Sequence, residues 1–182
     1  MIKRSFLFLA LLTSQLPAAT PGEVGSALSR SIAFFHKNAA SHGGYVYRYS
    51  ADFKLREAEG IPAPDTIWIQ PPGTPAVGAA FLDAYEATGD ANCLKAAVDA
   101  AHAVSRTQLT SGGWDYSGHF DPGDRARRLY RRDAEGKLIE RKKIPQSEGG
   151  WHVWRQREHK DDNYSTVDDD VTQSATRLLV RV

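Results

Sequence analysis

Apolar residues return every three or four positions in four stretches of this chain, the period of an α-helix with one buried face. In residues 22–40 the stripe is Val24, Leu28, Ile32 and Phe35. In residues 74–90 it is Val77, Phe81, Leu82 and Tyr85, and Gly89 supplies a stop. Residues 91–109 carry Leu94, Ala97, Val98, Ala101 and Val104 in an alanine-rich background that favours helix. A fourth helix begins near Asp169, with Thr172, Ala175, Leu178 and Leu179 as its stripe. Alternation of the kind a strand needs is confined to residues 43–50, GGYVYRYS. Residues 121–159 hold Arg125, Arg127, Arg128, Arg131 and Arg132, and read as a long charged surface excursion.

Between the helices the pattern repeats. SHGGYVYRYS follows the first helix and TSGGWDYSGHF follows the third. A second echo links residues 66–85 to residues 165–182, each an extended lead-in to a small-residue helix start. Helical hairpins repeated in this way stack into a solenoid or close into a ring.

The N-terminal residues 1–19 follow a different rule. Lys3 and Arg4 precede an apolar run from Phe6 to Leu12, and small residues follow at Ala18 and Ala19. This is the three-part pattern of a secretory signal peptide, with an apolar run too short for a membrane anchor. The expected location is secreted or periplasmic, with no membrane contact after removal of the signal.

Composition narrows the class. The chain has 182 residues, 41% hydrophobic and 25% charged, enough for a core of its own. A net charge of +1 provides no global field for nucleic acid or membrane. The single Cys93 excludes an internal disulfide framework. The six histidines show no zinc-ligand spacing.

The most unusual local feature is the run Asp168, Asp169 and Asp170 at the start of the fourth helix. Helix N-termini favour carboxylates, and one N-cap acid has an ordinary explanation. Three adjacent acids repel one another unless solvent or a cation intervenes, and oxygen-rich clusters suit Ca²⁺. Capping and a metal or substrate role both stand at this point. Asp161, Asp162 and Asn163 add polar groups nearby.

The order GGY, TIWIQPPGTPAVGAAFLDAYEATGD, SGGWDYS and TVDDDVTQSATRLL resembles pectate lyases of the tenth polysaccharide lyase family over roughly residues 24–182. The resemblance implies an all-α fold, an α/α-toroid of which residues 22–182 would form an N-terminal part. It implies calcium-assisted β-elimination on polygalacturonate or a related acidic polysaccharide by a monomer. Asp169 and Asp170 then become catalytic candidates, and Asp168 and Asp169 metal ligands. Tyr45, Arg48, Trp68, Trp114 and Tyr116 become candidates for binding substrate. Two departures accompany it. Thr66-Ile67-Trp68-Ile69 stands where the family has Thr-Ile-Asp-Asn, and Asp168 stands in place of Asn. The family's arginine base falls later than any residue here, so the chain reads as a fragment whose last helix should expose Leu178, Leu179 and Val182. The loss of an acid at Trp68 leaves a second expectation open, a non-catalytic carbohydrate-binding or structural repeat protein.

Overall fold

The computed structural model describes residues 18–140 and 163–182; the signal-like segment up to residue 17, and His152, His159, Asp161 and Asp162, lie outside them. Helix α1 (Pro21–Ala39) opens with a reciprocal cap. The Thr20 hydroxyl accepts from Glu23 N, and the Glu23 carboxylate accepts from Thr20 N at 2.8 Å. This satisfies two otherwise unpaired donors. Helix α2 (Thr74–Thr88) stops at Gly89, whose φ of 70° lies in the left-handed region. Helix α3 (Ala91–Arg106) follows at once, with the Asp90 side chain accepting from Asn92 N.

Helices α2 and α3 pack closely because their facing residues are small. Ala96, Ala97, Ala100, Ala101 and Ala103 are all buried. Helix α5 (Val171–Arg181) lies against the same pair. A Cβ placed on Gly78 would stand 2.8 Å from a Leu178 methyl and 2.9 Å from Ala100 Cβ. Leu178 is thus core, at 1% exposure, against the expectation that it would be bare. Leu179 is half-buried, while Val180 and Val182 are exposed. On α1 the expected stripe is covered only in part: Ile32 is buried, whereas Val24 is 54% exposed.

The fold is mixed, and the expectation of an all-α toroid is corrected by two antiparallel ribbons. Strands β1 (Arg48–Tyr49) and β2 (Arg56–Glu57) form one. Strands β3 (Thr66–Trp68) and β4 (Ser117–His119) form the other, with Ile67 opposite Gly118 and Trp68 opposite Ser117. The physical reason is local. Thr-Ile-Trp-Ile is β-branched and aromatic, with Ile67 and Ile69 fully buried on alternate positions. These residues suit a half-buried pleat better than a helix lead-in.

The described part of the charged excursion, residues 121–140, is also more structured than a solvated surface. Asp121 caps a short helix, α4 (Pro122–Ala126). Arg125 donates to the carbonyls of His119, Arg106 and Arg132, and its guanidinium lies 4.6 Å from the Tyr130 ring centroid. Arg128 pairs with Asp115 at 3.2 Å. These cations hold loops together, a use that charge patterning alone does not distinguish from exposure.

The internal repeat reappears as matched hydrogen bonds. The first glycine of each pair is left-handed, Gly43 with φ 87° and Gly112 with φ 104°. The second has no room for a Cβ, which would meet Ile67 at 2.4 Å from Gly44 and Ser165 at 2.6 Å from Gly113. The aromatic that follows is then tied to the start of a helix. Tyr45 N donates to Thr74 Oγ1 at 2.9 Å, and Trp114 N donates to Thr172 Oγ1 at 3.2 Å. The Tyr45 carbonyl accepts from Trp68 N, as the Trp114 carbonyl does from Thr166 N.

Candidate functional site

The backbone pairing just described threads residues 66–70 between the two glycine loops. Trp68 N donates to Tyr45 O at 2.8 Å, and Ile69 N donates to Tyr116 O at 2.7 Å. With Ile67 and Ile69 turned into the core, Trp68 and Gln70 are left to meet polar neighbours. Four chain segments therefore converge on one polar, aromatic rim.

The contacts there are specific. The Tyr47 hydroxyl donates to Gln70 Oε1 at 2.6 Å. Trp68 Nε1–H donates to the same oxygen at 3.2 Å. Gln70 Nε2 donates to Asp169 Oδ2 at 3.1 Å, across nearly a hundred residues of sequence. The Tyr47 and Trp68 rings meet edge to face, 5.8 Å between centroids. Trp68, Tyr47 and Tyr116 are all half-buried, so each retains ring surface and a polar tip.

The electrostatics are acidic. Burial pushes the Tyr47 phenol up to about 12, with Glu59 and Asp169 adding to the rise. Burial also raises Tyr116, followed by the charges of Asp168, Asp169 and Glu59. Both phenols are thus neutral hydrogen-bonding groups near neutral pH and not bases.

The three acids divide their work. Asp168 and Asp169 are exposed, and Asp168 Oδ1 accepts from Asp169 N at 2.9 Å. Asp169 Oδ1 has no hydrogen-bond partner among the described residues. Asp170 pairs with Arg177 on the outer face of α5. It occupies the N-cap position, yet its side chain makes no capping hydrogen bond. Asp169 and Asp170 also hold left-handed backbone, with φ of 49° and 61°. Aspartate tolerates that region better than most residues with a side chain, which gives the run a reason that neither capping nor charge supplies.

Two expected contacts belong elsewhere, and a third is set apart. Tyr45 is fully buried, stacked on Phe35 at 5.5 Å with its hydroxyl 2.6 Å from His36 Nδ1. Trp114 is buried with Nε1–H donating to Val104 O at 2.8 Å. Both side chains are core: Tyr45 packs on Phe35 and Phe81 and Trp114 reaches the last turn of α3, while their backbone N–H groups bond the starts of α2 and α5. Arg48 is exposed and joined to Glu57 at 2.8 Å across its own hairpin. Asn163 is spent locally, its side-chain oxygen accepting from Thr110 Oγ1 and Ser111 N.

Sequence reading missed Gln70 and Glu59. Gln70 had a signal, since it lies two positions beyond Trp68 in an alternating segment. Glu59 had none. Among the described residues no three His, Cys, Asp or Glu side chains converge to hold a metal ion. Among the described residues no helix is long and apolar enough to cross a membrane.

Compared with family models, curated proteins and solved structures, the chain matches none.

Proposed function

We propose that this rim binds a carbohydrate, and that the chain is an exported relative of pectate lyases acting on a uronate polymer. The observation that carries the reading is the convergence of Tyr47, Trp68, Gln70, Tyr116 and Asp169 from distant segments onto one half-buried surface. Aromatic faces flanked by planar amide and carboxylate groups suit the apolar faces and hydroxyl edges of pyranose rings. The motif resemblance supplies the choice of uronate.

The chemistry of that reading is elimination. The C5 proton of a uronate passes to a base, the C5 electron pair forms a C4–C5 double bond, and the C4–O bond breaks with the pair leaving on oxygen. This chain's contribution is to orient the ring: Trp68 and Tyr116 line it, and Asp169 accepts from a hydroxyl. An acidic rim repels a polyanion, so uronate binding here requires a divalent cation carried with the substrate; Ca²⁺ would neutralise the facing carboxylates.

A second reading, a non-catalytic carbohydrate-binding protein, is favoured by the tryptophan in place of an acid at position 68 and by the pairing of Asp170 with Arg177. One assay separates the two. Polygalacturonate is incubated with the protein and Ca²⁺, and unsaturated product is followed by ultraviolet absorbance. Product that disappears with chelator supports the lyase. Oligogalacturonide binding without product supports the second reading, and neither binding nor product removes both.

A further inference from the structure

We infer that Gln70 is a positioning residue, whose side-chain amide fixes Asp169 as a hydrogen-bond acceptor turned to the rim. The inference rests on the proposed carbohydrate site for its functional half and on donor–acceptor chemistry for its structural half. An indole N–H can only donate. Trp68 Nε1–H lies 3.2 Å from Gln70 Oε1, and the Tyr47 hydroxyl lies 2.6 Å from the same oxygen. Rotating the amide by half a turn would set its NH₂ against the indole donor and its oxygen against the Asp169 carboxylate. Both new contacts would repel, so the orientation is forced. The NH₂ must face Asp169 Oδ2, where it stands at 3.1 Å.

Trp68 acquires a role in this arrangement beyond ring surface. Its N–H and the Tyr47 hydroxyl hold a glutamine that is itself 9% exposed. That glutamine in turn reaches a carboxylate on a left-handed backbone, a conformation that persists only where its surroundings impose it. With Oδ2 occupied from behind, Oδ1 is the oxygen left for a ligand.

An exchange of donor and acceptor tests the inference. Gln70→Glu keeps the acceptor for Tyr47 and Trp68 but sets two carboxylates in contact. Combining it with Asp169→Asn restores the hydrogen bond in the opposite direction, with unchanged net charge. Asp169→Asn alone leaves the original direction intact. The backbone Cα chemical shifts of residues 169 and 170 report the left-handed conformation, and oligogalacturonide binding with Ca²⁺ reports the site. Asp169→Asn should keep the shifts, Gln70→Glu should move them, and the double variant should bring them back. Binding should weaken about tenfold or more in Gln70→Glu and stay weak in the double variant, because the charge no longer faces the rim. Unmoved shifts in Gln70→Glu, or no recovery in the double variant, overturn the structural half. Wild-type binding by Gln70→Glu overturns the functional half. A wild type that binds no uronate removes the carbohydrate reading alone, and the shifts still decide the role of Gln70.

Discussion

Replacing Gly78 by alanine should destabilise this protein, although the same change at an exposed helical site would stabilise it. Glycine inside a helix costs about 1 kcal/mol relative to alanine, so the backbone contribution favours the variant. Packing opposes it. The new methyl would stand 2.8 Å from one Leu178 methyl, 3.1 Å from the other and 2.9 Å from Ala100 Cβ. Comfortable carbon contacts begin near 3.5 Å, so α3 and α5 would each have to retreat by roughly 0.7 Å. Overpacking of this kind costs about 1–3 kcal/mol. The net expectation is a loss of about 1 kcal/mol, measured by urea denaturation. The partner variant Leu178→Ala removes a fully buried side chain and should cost about 2–5 kcal/mol. In that background the clash with Leu178 disappears while that with Ala100 remains. The double variant should therefore be more stable than the sum predicts, by about 0.5–2 kcal/mol. Net stabilisation by Gly78→Ala, or strict additivity with Leu178→Ala, would refute the three-helix contact.

His119 is 14% exposed, and burial, then Arg128, pushes its pKa down to about 4. Below pH 6.5 the unfolded chain binds a proton that the native state refuses, so stability falls with pH and the loss is complete near pH 4. It should total on the order of 3 kcal/mol and be absent in His119→Gln, as read from denaturation midpoints across that window. Thr74→Val strands the buried Tyr45 N–H and should cost about 2 kcal/mol; Thr172→Val, half-buried at the matching place, should cost less. Asp170→Gly should be neutral or stabilising by up to about 1 kcal/mol, because glycine accepts its φ of 61° without strain, whereas Asp170→Ala should destabilise by about 1 kcal/mol; equal thermal shifts would argue against the left-handed turn.

Helices α1, α2, α3 and α5 were legible because their periodicity is local: α2 ends at Gly89 and α3 lies within its alanine-rich stretch, as the residues indicate, whereas the one-turn α4 was not. The ribbons were legible only in part: the alternation in residues 43–50 covers β1, but β2 has two residues and β4 three, too short to show a period. The partner of β3 is also distant in sequence, Thr66 facing His119, and pairing is not written in either strand alone. Of the site, Trp68, Tyr116 and Asp169 could be named from motif and type. Gln70 was missed although it stands two positions beyond Trp68 in an alternating segment, because its importance lies in what it joins. Tyr45 and Trp114 look like loop aromatics in sequence, and only the helices packed around them, α1 and α2 for Tyr45 and α3 for Trp114, make them core.

The manner in which α5 is attached has a kinetic consequence. Helices α2 and α3 meet through a turn of two residues and can form early. The tertiary anchors of α5 reach far back along the chain, Leu178 to Gly78, Thr172 to Trp114 and Arg181 to Asp83 and Glu86, and Asp169 just before it is held to Gln70. Such contacts bear a loop-closure cost before they return any stabilisation. Docking of α5 is then a late event in folding and an early one in partial opening, and amide exchange should be faster in α5 than in α3. The rim is complete only in molecules with α5 in place. A ligand that touches both Trp68 and Asp169 would hold that last piece closed, and slowed exchange along α5 would reveal its binding even where no reaction follows.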